Sequence, residues 1–473
     1  MIGGFGSQAW QLAAEIRAGS RSAVETIGAA LSRIAELDPA LNAFTVLDPE
    51  RALRRAGAVD RGEVTGPLAG VPISVKDHIW LRGLPATNGS RALADFVPDA
   101  DCVAVERLLV AGAIPIGKTN NSEFCYRGVT ENELWGVTRN PHDPRRTAGG
   151  SSGGAAVSVS AGMVPLALGT DGGGSIRIPS AFCGTVGLKP SFGLVPKLPG
   201  FRGWPTLSVT GPITGSVRDL ALALSVLAGP SVLDPLSYPA PSADYLAAVG
   251  SPDWRRLRIA VSEDLGFAAV DAEVRSAFRT ALGRLSDAGA RLATAHPPPT
   301  DPVPLWDAVA TPEGFASEGR LVLDHPDLIG PDARLLTLAG QPITARQYLD
   351  AQQRRAEYTS DWLAFFVDYD VLLTPTMPVT AFEVGRLAPA RIEGRPVPDA
   401  FDAWCALSAP ANLAGLPAAS VPIDPGAGRL PIGLQVMAAR WAEPLVLTVA
   451  AAVETYCSVA FSKHSVPHGD PTH

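Results

Sequence analysis

The chain has 473 residues, of which 46% are hydrophobic and 18% are charged, and its formal net charge is -8. This composition supports a large buried core and excludes a mainly disordered protein. Charged residues are spread along the chain without a basic stripe that could follow a phosphate backbone. We therefore expect a globular protein of enzyme size that has no nucleic-acid partner.

The N-terminus shows no basic region followed by an apolar one, which predicts a cytoplasmic protein instead of a secreted one. The longest weakly polar stretch, residues 155–169, is interrupted by Gly162 and Pro165 and does not predict a membrane-spanning helix. The five cysteines are scattered and lack metal-site spacing, so we interpret them as free thiols. We expect no membrane partner and no bound metal.

Helices and strands alternate along most of the chain. Three capped helical patterns occupy residues 1–65. Short apolar runs, too short for helices, predict buried strands at residues 71–77, 113–119, 164–171 and 371–376. The predicted fold class is α/β, a single large α/β/α layered body whose central mixed, mostly parallel sheet is covered by helices.

One domain is predicted over residues 1–473, with four parts that differ in texture. Residues 1–65 supply N-terminal helices, and the Gly-rich turns and short strands of residues 66–225 are expected to hold the chemistry. Residues 226–365 form a variable helical insertion that begins with a Pro-rich surface loop at 228–256. Residues 366–473 complete the core with strands and a helix.

Two short motifs suggest functions that their surroundings oppose. Residues 112–119 fit the phosphate-loop pattern, but a helical pattern precedes them, and Pro115 has no N–H to offer a phosphate. Residues 149–153 fit the nucleophile elbow of α/β-hydrolases, with Ser151 as nucleophile. An elbow follows a strand, whereas a loop rich in Pro and Arg precedes Ser151. An esterase acting through Ser151 is kept as an alternative.

A third pattern is longer and joins two Gly/Ser clusters, residues 149–155 and 168–191. Embedded charges and strand-forming runs distinguish it from a flexible linker. The run from Asp171 to Ser175 places consecutive backbone N–H groups close together, as an oxyanion hole requires. We therefore expect the backbone N–H groups of Gly172, Gly173, Gly174 and Ser175 to form such a hole.

These clusters resemble the signature segment of the amidase-signature family. The resemblance extends upstream through segments starting at Gly70, Gly83, Gly117 and Thr138, and downstream through segments starting at Asp370 and Asn412. It covers about 160 contiguous residues and part of the last hundred. It implies the family's fold and the hydrolysis of a carboxylic amide C–N bond, with no cofactor.

The resemblance assigns Ser175 as nucleophile, Ser151, often preceded by a cis peptide bond, as the bridging residue, and Lys76 as the base. A lysine can act as a base only when it is neutral, and the apolar run before Lys76 favours burial and a lowered pKa. Only five of the 39 basic residues are lysines, which suggests that Lys76 does what an arginine could not. A structural ion pair between Lys76 and Asp77 is the alternative. Asp171 and Arg177 are expected to pair and fix the loop.

Substrate choice is less clearly indicated. By resemblance, Cys125 lies in the substrate pocket, and aromatic residues are candidates for its walls: Tyr126, Trp204, Phe315 and Trp404. The expected substrate is a small-molecule amide, either aryl or acyl. The expected oligomeric state is a monomer or a homodimer. The glutaminase subunit of a tRNA amidotransferase stays an alternative, although residues 121–124 depart from the family's usual sequence. A non-catalytic binding protein is the remaining alternative function.

Overall fold

An eleven-stranded sheet runs through the computed structural model, which describes residues 8–398 and 404–458. Fifteen strands lie in these residues: β1 (Phe44–Leu47), β2 (Pro72–Lys76), β3 (Ile114–Thr119), β4 (Glu131–Asn132), β5 (Gly136–Val137), β6 (Leu166–Asp171), β7 (Val186–Lys189), β8 (Val209–Thr214), β9 (Ile259–Val261), β10 (Leu292–Thr294), β11 (Val371–Pro375), β12 (Arg391–Ile392), β13 (Arg395–Pro396), β14 (Ala418–Ile423) and β15 (Ile432–Ala438). The order in the large sheet is β1-β3-β2-β6-β8-β7-β14-β15-β11-β9-β10.

Helices cover the sheet. Thirteen α-helices lie in the described residues: α1 (Ala9–Arg17), α2 (Ala23–Leu41), α3 (Pro49–Asp60), α4 (Val103–Val110), α5 (Gly153–Ser160), α6 (Arg177–Cys183), α7 (Val217–Leu227), α8 (Ala272–Asp287), α9 (Val303–Asp324), α10 (Pro331–Leu338), α11 (Ala345–Asp368), α12 (Ala409–Leu413) and α13 (Glu443–Cys457). In this part of the chain, no helix combines the length and apolar character needed to cross a membrane.

The sheet is mixed, as predicted, but the prediction that it is mostly parallel is wrong. Strands β3, β2 and β6 run parallel, as do β11, β9 and β10. Every pairing from β6 through β8, β7, β14 and β15 to β11 is antiparallel. The prediction assumed helical crossovers between strands, whereas only residues 424–431 separate β14 from β15, too few for a crossover.

The four predicted strands are present as β2, β3, β6 and β11, and the three predicted N-terminal helices as α1 to α3. The segment 226–365 contains the expected helices and also contributes β9 and β10 to one edge of the sheet. Strands from both halves of the chain therefore build the same sheet, and the N-terminal half supplies the parallel group β3-β2-β6, next to the β1 edge, that carries Lys76.

Most of the phosphate-loop pattern lies in strand β3. Close packing of two strands, without any bound nucleotide, explains why residue 117 is a glycine. A Cβ on Gly117 would collide with the carbonyl oxygen of Val46 in the neighbouring strand β1. The glycine therefore permits close approach of two strands, and the extended backbone of residues 114–119 cannot wrap around a phosphate.

We predict that Gly117→Ala lowers the free energy of unfolding by about 1–3 kcal/mol, because the added methyl group collides with backbone that cannot move away. Gly283→Ala in α8 is the matched control, since a Cβ there meets nothing within 4 Å, and alanine favours the helix by about 0.5–1 kcal/mol. Urea unfolding of both variants should give opposite signs. Equal stability of the two variants would contradict the packing role of Gly117.

Candidate active site

The candidate catalytic residues meet at one edge of the sheet. Lys76 is the last residue of β2, and Thr170 and Asp171 end the neighbouring parallel strand β6. Parallel neighbours bring their carboxyl ends to the same edge, so these side chains converge. Ser151 and Ser175 each lie two residues before a helix, α5 and α6 respectively. The backbone N–H of Ser152 donates to the Ser175 carbonyl at 3.1 Å, which holds the two serine segments together.

Lys76 is fully buried and is held by two hydroxyl groups. Its Nζ lies 2.7 Å from Ser151 Oγ and 2.8 Å from Thr170 Oγ1. Burial lowers the pKa of Lys76, and the nearby acidic groups Cys125, Asp171 and Asp77 only partly oppose that effect. The amine therefore loses its proton more readily than an exposed lysine does, which is the property a base needs.

The alternative role for Lys76, an ion pair with Asp77, is not what the structure shows. The Asp77 carboxylate accepts hydrogen bonds from the Thr87 N–H (3.1 Å), the Thr87 hydroxyl (2.7 Å) and the Gly89 N–H (3.2 Å). Asp77 thus fixes the loop at residues 87–89. Lys76 makes no ion pair with a described carboxylate within 4.0 Å.

Ser151 lies in a braced turn instead of a nucleophile elbow. The Gly150–Ser151 peptide bond is cis, as predicted, and a loop precedes it where an elbow would have a strand. The Thr130 hydroxyl donates to the Gly149 carbonyl at 2.9 Å and accepts from the Gly153 N–H at 3.0 Å, so it spans the turn. The turn directs Ser151 Oγ towards Lys76.

The structure of the loop from Asp171 to Ser175 removes one residue, Gly174, from the predicted oxyanion donors. The Gly174 N–H donates to Asp171 Oδ1 at 2.8 Å, so Gly174 is not available as an oxyanion donor. The N–H groups of Gly172, Gly173 and Ser175 donate to no group in the described part of the chain, and the Ser175 hydroxyl makes no hydrogen bond there either. The available donor set is therefore Gly172, Gly173 and Ser175.

Asp171 and Arg177 form the expected pair, with both side chains fully buried. Arg177 contacts the carboxylate through two nitrogens, at 3.0 and 2.9 Å. Burial alone would raise the pKa of Asp171, but Arg177 holds it at about 2. Arg177 also donates to Gln435 of β15 at 2.7 Å and to Asn412 of α12 at 2.6 Å. The pair anchors the loop from Asp171 to Ser175, called the nucleophile loop below after the predicted role of Ser175, to the C-terminal elements α12 and β15.

An aromatic wall contacts the same loop. The rings of Tyr126 and Trp204 stack at 5.2 Å, and Trp306 meets Trp204 edge-on at 4.8 Å. Trp306 Nε1 donates to the Gly172 carbonyl at 2.9 Å. A Cβ on Gly172 would lie 2.6 Å from the Trp204 ring, so glycine is needed for this contact. Trp204 and Trp306 thus contact the loop directly, and Tyr126 lies behind them, stacked on Trp204.

Other predicted pocket residues differ in position. Cys125 is partly exposed and interacts with Lys76 and Ser151. The described contacts of Trp404 are with core residues, namely ring contacts with Phe182 and Phe382 and a hydrogen bond to the Leu387 carbonyl. Phe315 packs against Gly319 and Gly340. The structure brings Cys125 to Lys76 and Ser151 and gives Trp404 and Phe315 packing contacts.

Sequence reasoning missed several polar residues at this site. Thr170 is the second partner of Lys76, and its place directly before the Asp171 loop was the signal that could have indicated it. Glu318 of α9 is buried and accepts a hydrogen bond from the Tyr126 hydroxyl at 2.6 Å, and burial raises its pKa to about 8. Trp306 and Glu318 belong to a helix without any motif, so no local pattern indicated them.

We predict that Asp171→Asn lowers the free energy of unfolding by about 3–5 kcal/mol, because it leaves the Arg177 charge buried without its partner. Asp324→Asn is the matched control, since the Arg320–Asp324 pair is on the surface, with side chains 94% and 56% exposed. That variant should cost less than about 1 kcal/mol. Urea unfolding compares the two, and a small loss for Asp171→Asn would contradict the anchoring role.

Comparison with known proteins identifies the family of the chain. The family described as Amidase matches residues 25–447. An acylamidase of Rhodococcus erythropolis is 38% identical, covering 94% of this chain and 94% of that protein. A glutamyl-tRNA(Gln) amidotransferase subunit of Chloroflexus aggregans is also 38% identical, covering 92% and 93%. The crystal structure of a bacterial aryl acylamidase of the amidase-signature family superposes with a TM-score of 0.89 at 29% identity, covering 99% of both chains. The chain is therefore a member of the amidase family.

Proposed function

We propose that this enzyme hydrolyses a small aryl or acyl amide through an acyl-enzyme on Ser175. As a member of the amidase family, it cleaves carboxylic amide C–N bonds. One observation carries the proposed mechanism: the buried Lys76 amine lies 2.7 Å from Ser151 Oγ. These groups lie at the edge of the sheet where Ser175 precedes helix α6.

The first step is the activation of Ser175. Neutral Lys76 takes a proton from Ser151 while Ser151 takes one from Ser175, whose oxygen attacks the amide carbonyl carbon. The Ser175–Ser151 hydrogen bond must form in the substrate complex, as catalytic hydrogen bonds often do. Thr170, at 2.8 Å from Nζ, holds the amine in position as its charge changes.

The tetrahedral oxyanion is stabilised by backbone N–H groups. Gly172, Gly173 and Ser175 are the donors that the described chain leaves available. Removing one such donor typically costs about 3–4 kcal/mol in the transition state. The protonated relay then gives its proton to the leaving amine, and the C–N bond breaks. Water, activated through the same residues, cleaves the Ser175 ester.

The aromatic wall supports the choice of substrate. The buried rings of Tyr126, Trp204 and Trp306 pack together next to the nucleophile loop, and aromatic rings stabilise apolar or aromatic groups by burial and stacking. The acylamidase relative and the aryl acylamidase structure support the same substrate class.

A second candidate function is the glutaminase subunit of a tRNA amidotransferase. The equal 38% identity to the Chloroflexus amidotransferase protein favours it. Ammonia release from glutamine would distinguish the two functions. Glutaminase activity that appears only with partner subunits would support this second function, whereas hydrolysis of an aryl amide such as acetanilide by the isolated chain would support the first.

A fluorophosphonate probe, which phosphonylates activated serines, tests the nucleophile assignment. We expect one adduct per chain, mapped by peptide mass spectrometry to Ser175 and absent from Ser175→Ala. Ser160→Ala is the control, because Ser160 is a hydroxyl bonded to the Cys183 carbonyl at 2.6 Å and takes no part in the relay. An adduct on Ser151 would support the esterase alternative, and no adduct would support a non-catalytic binding protein.

We predict that kcat/KM rises with pH through the pKa of Lys76, because the neutral amine is the active form. Burial lowers that pKa from its ordinary value, so activity persists to a lower pH than an exposed lysine would allow and is lost as pH falls further. Lys76→Arg keeps the charge but cannot deprotonate, so hydrolysis should fall at least about a thousandfold at every pH tested.

Lys197→Arg is the matched control for the Lys76 substitution, since Lys197 Nζ donates to the Pro205 and Ser208 carbonyls and takes no part in the relay. This variant should retain most of the activity and the same pH profile. A Lys76→Arg enzyme with a near-normal rate would rule out Lys76 as the base.

A further inference from the structure

The backbone carbonyl groups of the nucleophile loop are all hydrogen-bonded to groups outside it. The donors come from four different places in the chain: Asn412 Nδ2 to the Asp171 carbonyl at 3.0 Å, Trp306 Nε1 to Gly172 at 2.9 Å, Ser408 Oγ to Gly173 at 2.6 Å, and the Ile178 N–H to Gly174 at 2.7 Å. Each peptide unit of the loop is therefore fixed at its carbonyl end.

Fixing a carbonyl also fixes the next N–H group. A trans peptide unit is planar, and its carbonyl and its N–H point in opposite directions. The cis bonds of the described residues are Gly150–Ser151 and Leu198–Pro199, so the peptide units of this loop are trans. A group that binds the Gly172 carbonyl thus sets the direction of the Gly173 N–H, one of the available oxyanion donors. Donation to the carbonyl also polarises the amide, which makes its N–H a stronger donor.

Trp306 covers the peptide unit between Gly172 and Gly173. Its indole N–H binds the carbonyl end, and a Cβ added to Gly173 would lie 3.1 Å from its ring. The residue is buried in the first turn of α9. That helix is itself held at Glu313, whose carboxylate accepts from the Thr206 N–H at 3.1 Å and from the Thr206 hydroxyl at 2.5 Å. The indole therefore projects from a fixed helix onto the loop.

The other carbonyl donors cannot be separated from the frame of the loop. Asn412 also donates to the Asp171 carboxylate at 3.0 Å and accepts from Arg177 at 2.6 Å, so its replacement would disturb the buried ion pair. The donor of Ile178 is a backbone N–H, which a side-chain substitution leaves in place. Trp306 allows a sharper test, because its N–H can be removed while its ring stays.

We propose that Trp306 is a positioning residue for amide hydrolysis: its indole N–H holds the Gly172 carbonyl and thereby directs the Gly173 N–H towards the transition-state oxyanion. This role rests on the proposed function, since it requires a tetrahedral intermediate on Ser175. Donors that are already oriented stabilise the charge that develops in the transition state more than the bound substrate. Loss of the indole N–H therefore lowers kcat and leaves KM nearly unchanged.

Two changes at position 306 remove the hydrogen bond. Trp306→Phe removes the N–H together with part of the ring. Replacement of Trp306 by 3-benzothienylalanine keeps the bicyclic shape and exchanges the N–H for sulfur, so it removes only the donor. Trp10 is the matched control, since its Nε1 donates to the Gln8 side chain on α1, which is bonded to Asp219 of α7. The same two changes at position 10 remove an indole hydrogen bond that the nucleophile loop does not receive.

Hydrolysis of acetanilide gives the first readout. With 3-benzothienylalanine at position 306, kcat should fall about tenfold to a hundredfold, because the donor is still present but no longer held in place. KM should stay within about twofold. The inhibition constant of 2,2,2-trifluoroacetophenone, a ketone that forms a tetrahedral oxyanion on a serine, should rise by the same factor as kcat falls. Both changes at position 10 should leave all three quantities unchanged.

The carbonyl carbon of Gly172 gives a second readout that does not depend on activity. In protein labelled with [1-¹³C,¹⁵N]glycine, carbonyl-to-nitrogen correlation spectra detect Gly–Gly steps, of which the sequence has five, at residues 3–4, 149–150, 153–154, 172–173 and 173–174. Loss of the indole donor should move the Gly172 carbonyl signal upfield and leave those of residues 149 and 153 in place.

Several results would overturn the proposal. These are a normal kcat with 3-benzothienylalanine at position 306, an equal loss of kcat with the change at position 10, a rise in KM at unchanged kcat, or unmoved Gly–Gly carbonyl signals. An unmodified chain that neither hydrolyses an amide nor binds the trifluoromethyl ketone would instead contradict the proposed function. The carbonyl signal would then still decide whether Trp306 holds the Gly172 peptide.

Discussion

The buried ion pair of Asp171 and Arg177 is the constraint on which the site depends. Burying two charges costs several kcal/mol per ion unless geometry and further hydrogen bonds compensate. Compensation here is extensive, because Arg177 also binds Ser408, Asn412 and Gln435, and Asp171 accepts from backbone N–H groups of its own loop. The pair joins the end of β6 to α12 and β15, so the shape of the nucleophile loop depends on elements more than 200 residues away in sequence.

The same pair divides the loop's N–H groups into two sets. Those of Gly174 and Ile176 stabilise the Asp171 carboxylate, while those of Gly172, Gly173 and Ser175 stay available for a developing oxyanion. In the proposed mechanism, a permanent anion, the Asp171 carboxylate, thus fixes the donors that stabilise a transient one. Lys76 differs from Arg177 in its partners. Hydroxyl groups hold the Lys76 amine, and none of the described carboxylates pairs with it. Arg177 keeps its charge and supports structure, and Lys76 can lose its charge and serve as a base.

The sequence predicted the parts of the site that local patterns determine. Apolar runs located β2, β3, β6 and β11, and the Gly/Ser clusters together with the family resemblance selected Lys76, Ser151 and Ser175. Local patterns do not indicate partners contributed by distant elements. Trp306 and Glu318 lie on α9, where nothing distinguishes them from core residues, and the Gly174 donor was lost to Asp171 by a contact that only the folded loop reveals. The antiparallel centre of the sheet was missed because strand patterns carry no direction.

Direct observation of the acyl-enzyme would test the central claim, that Ser175 carries the acyl group and Lys76 activates it. Rapid mixing with p-nitrophenyl acetate, an acid quench and peptide mass spectrometry would locate the acetyl group. The account predicts acetylation of Ser175 in the unmodified chain and almost none in Lys76→Arg. An acetyl group on Ser151 or Cys125, or equal acetylation of Ser175 in both proteins, would contradict it.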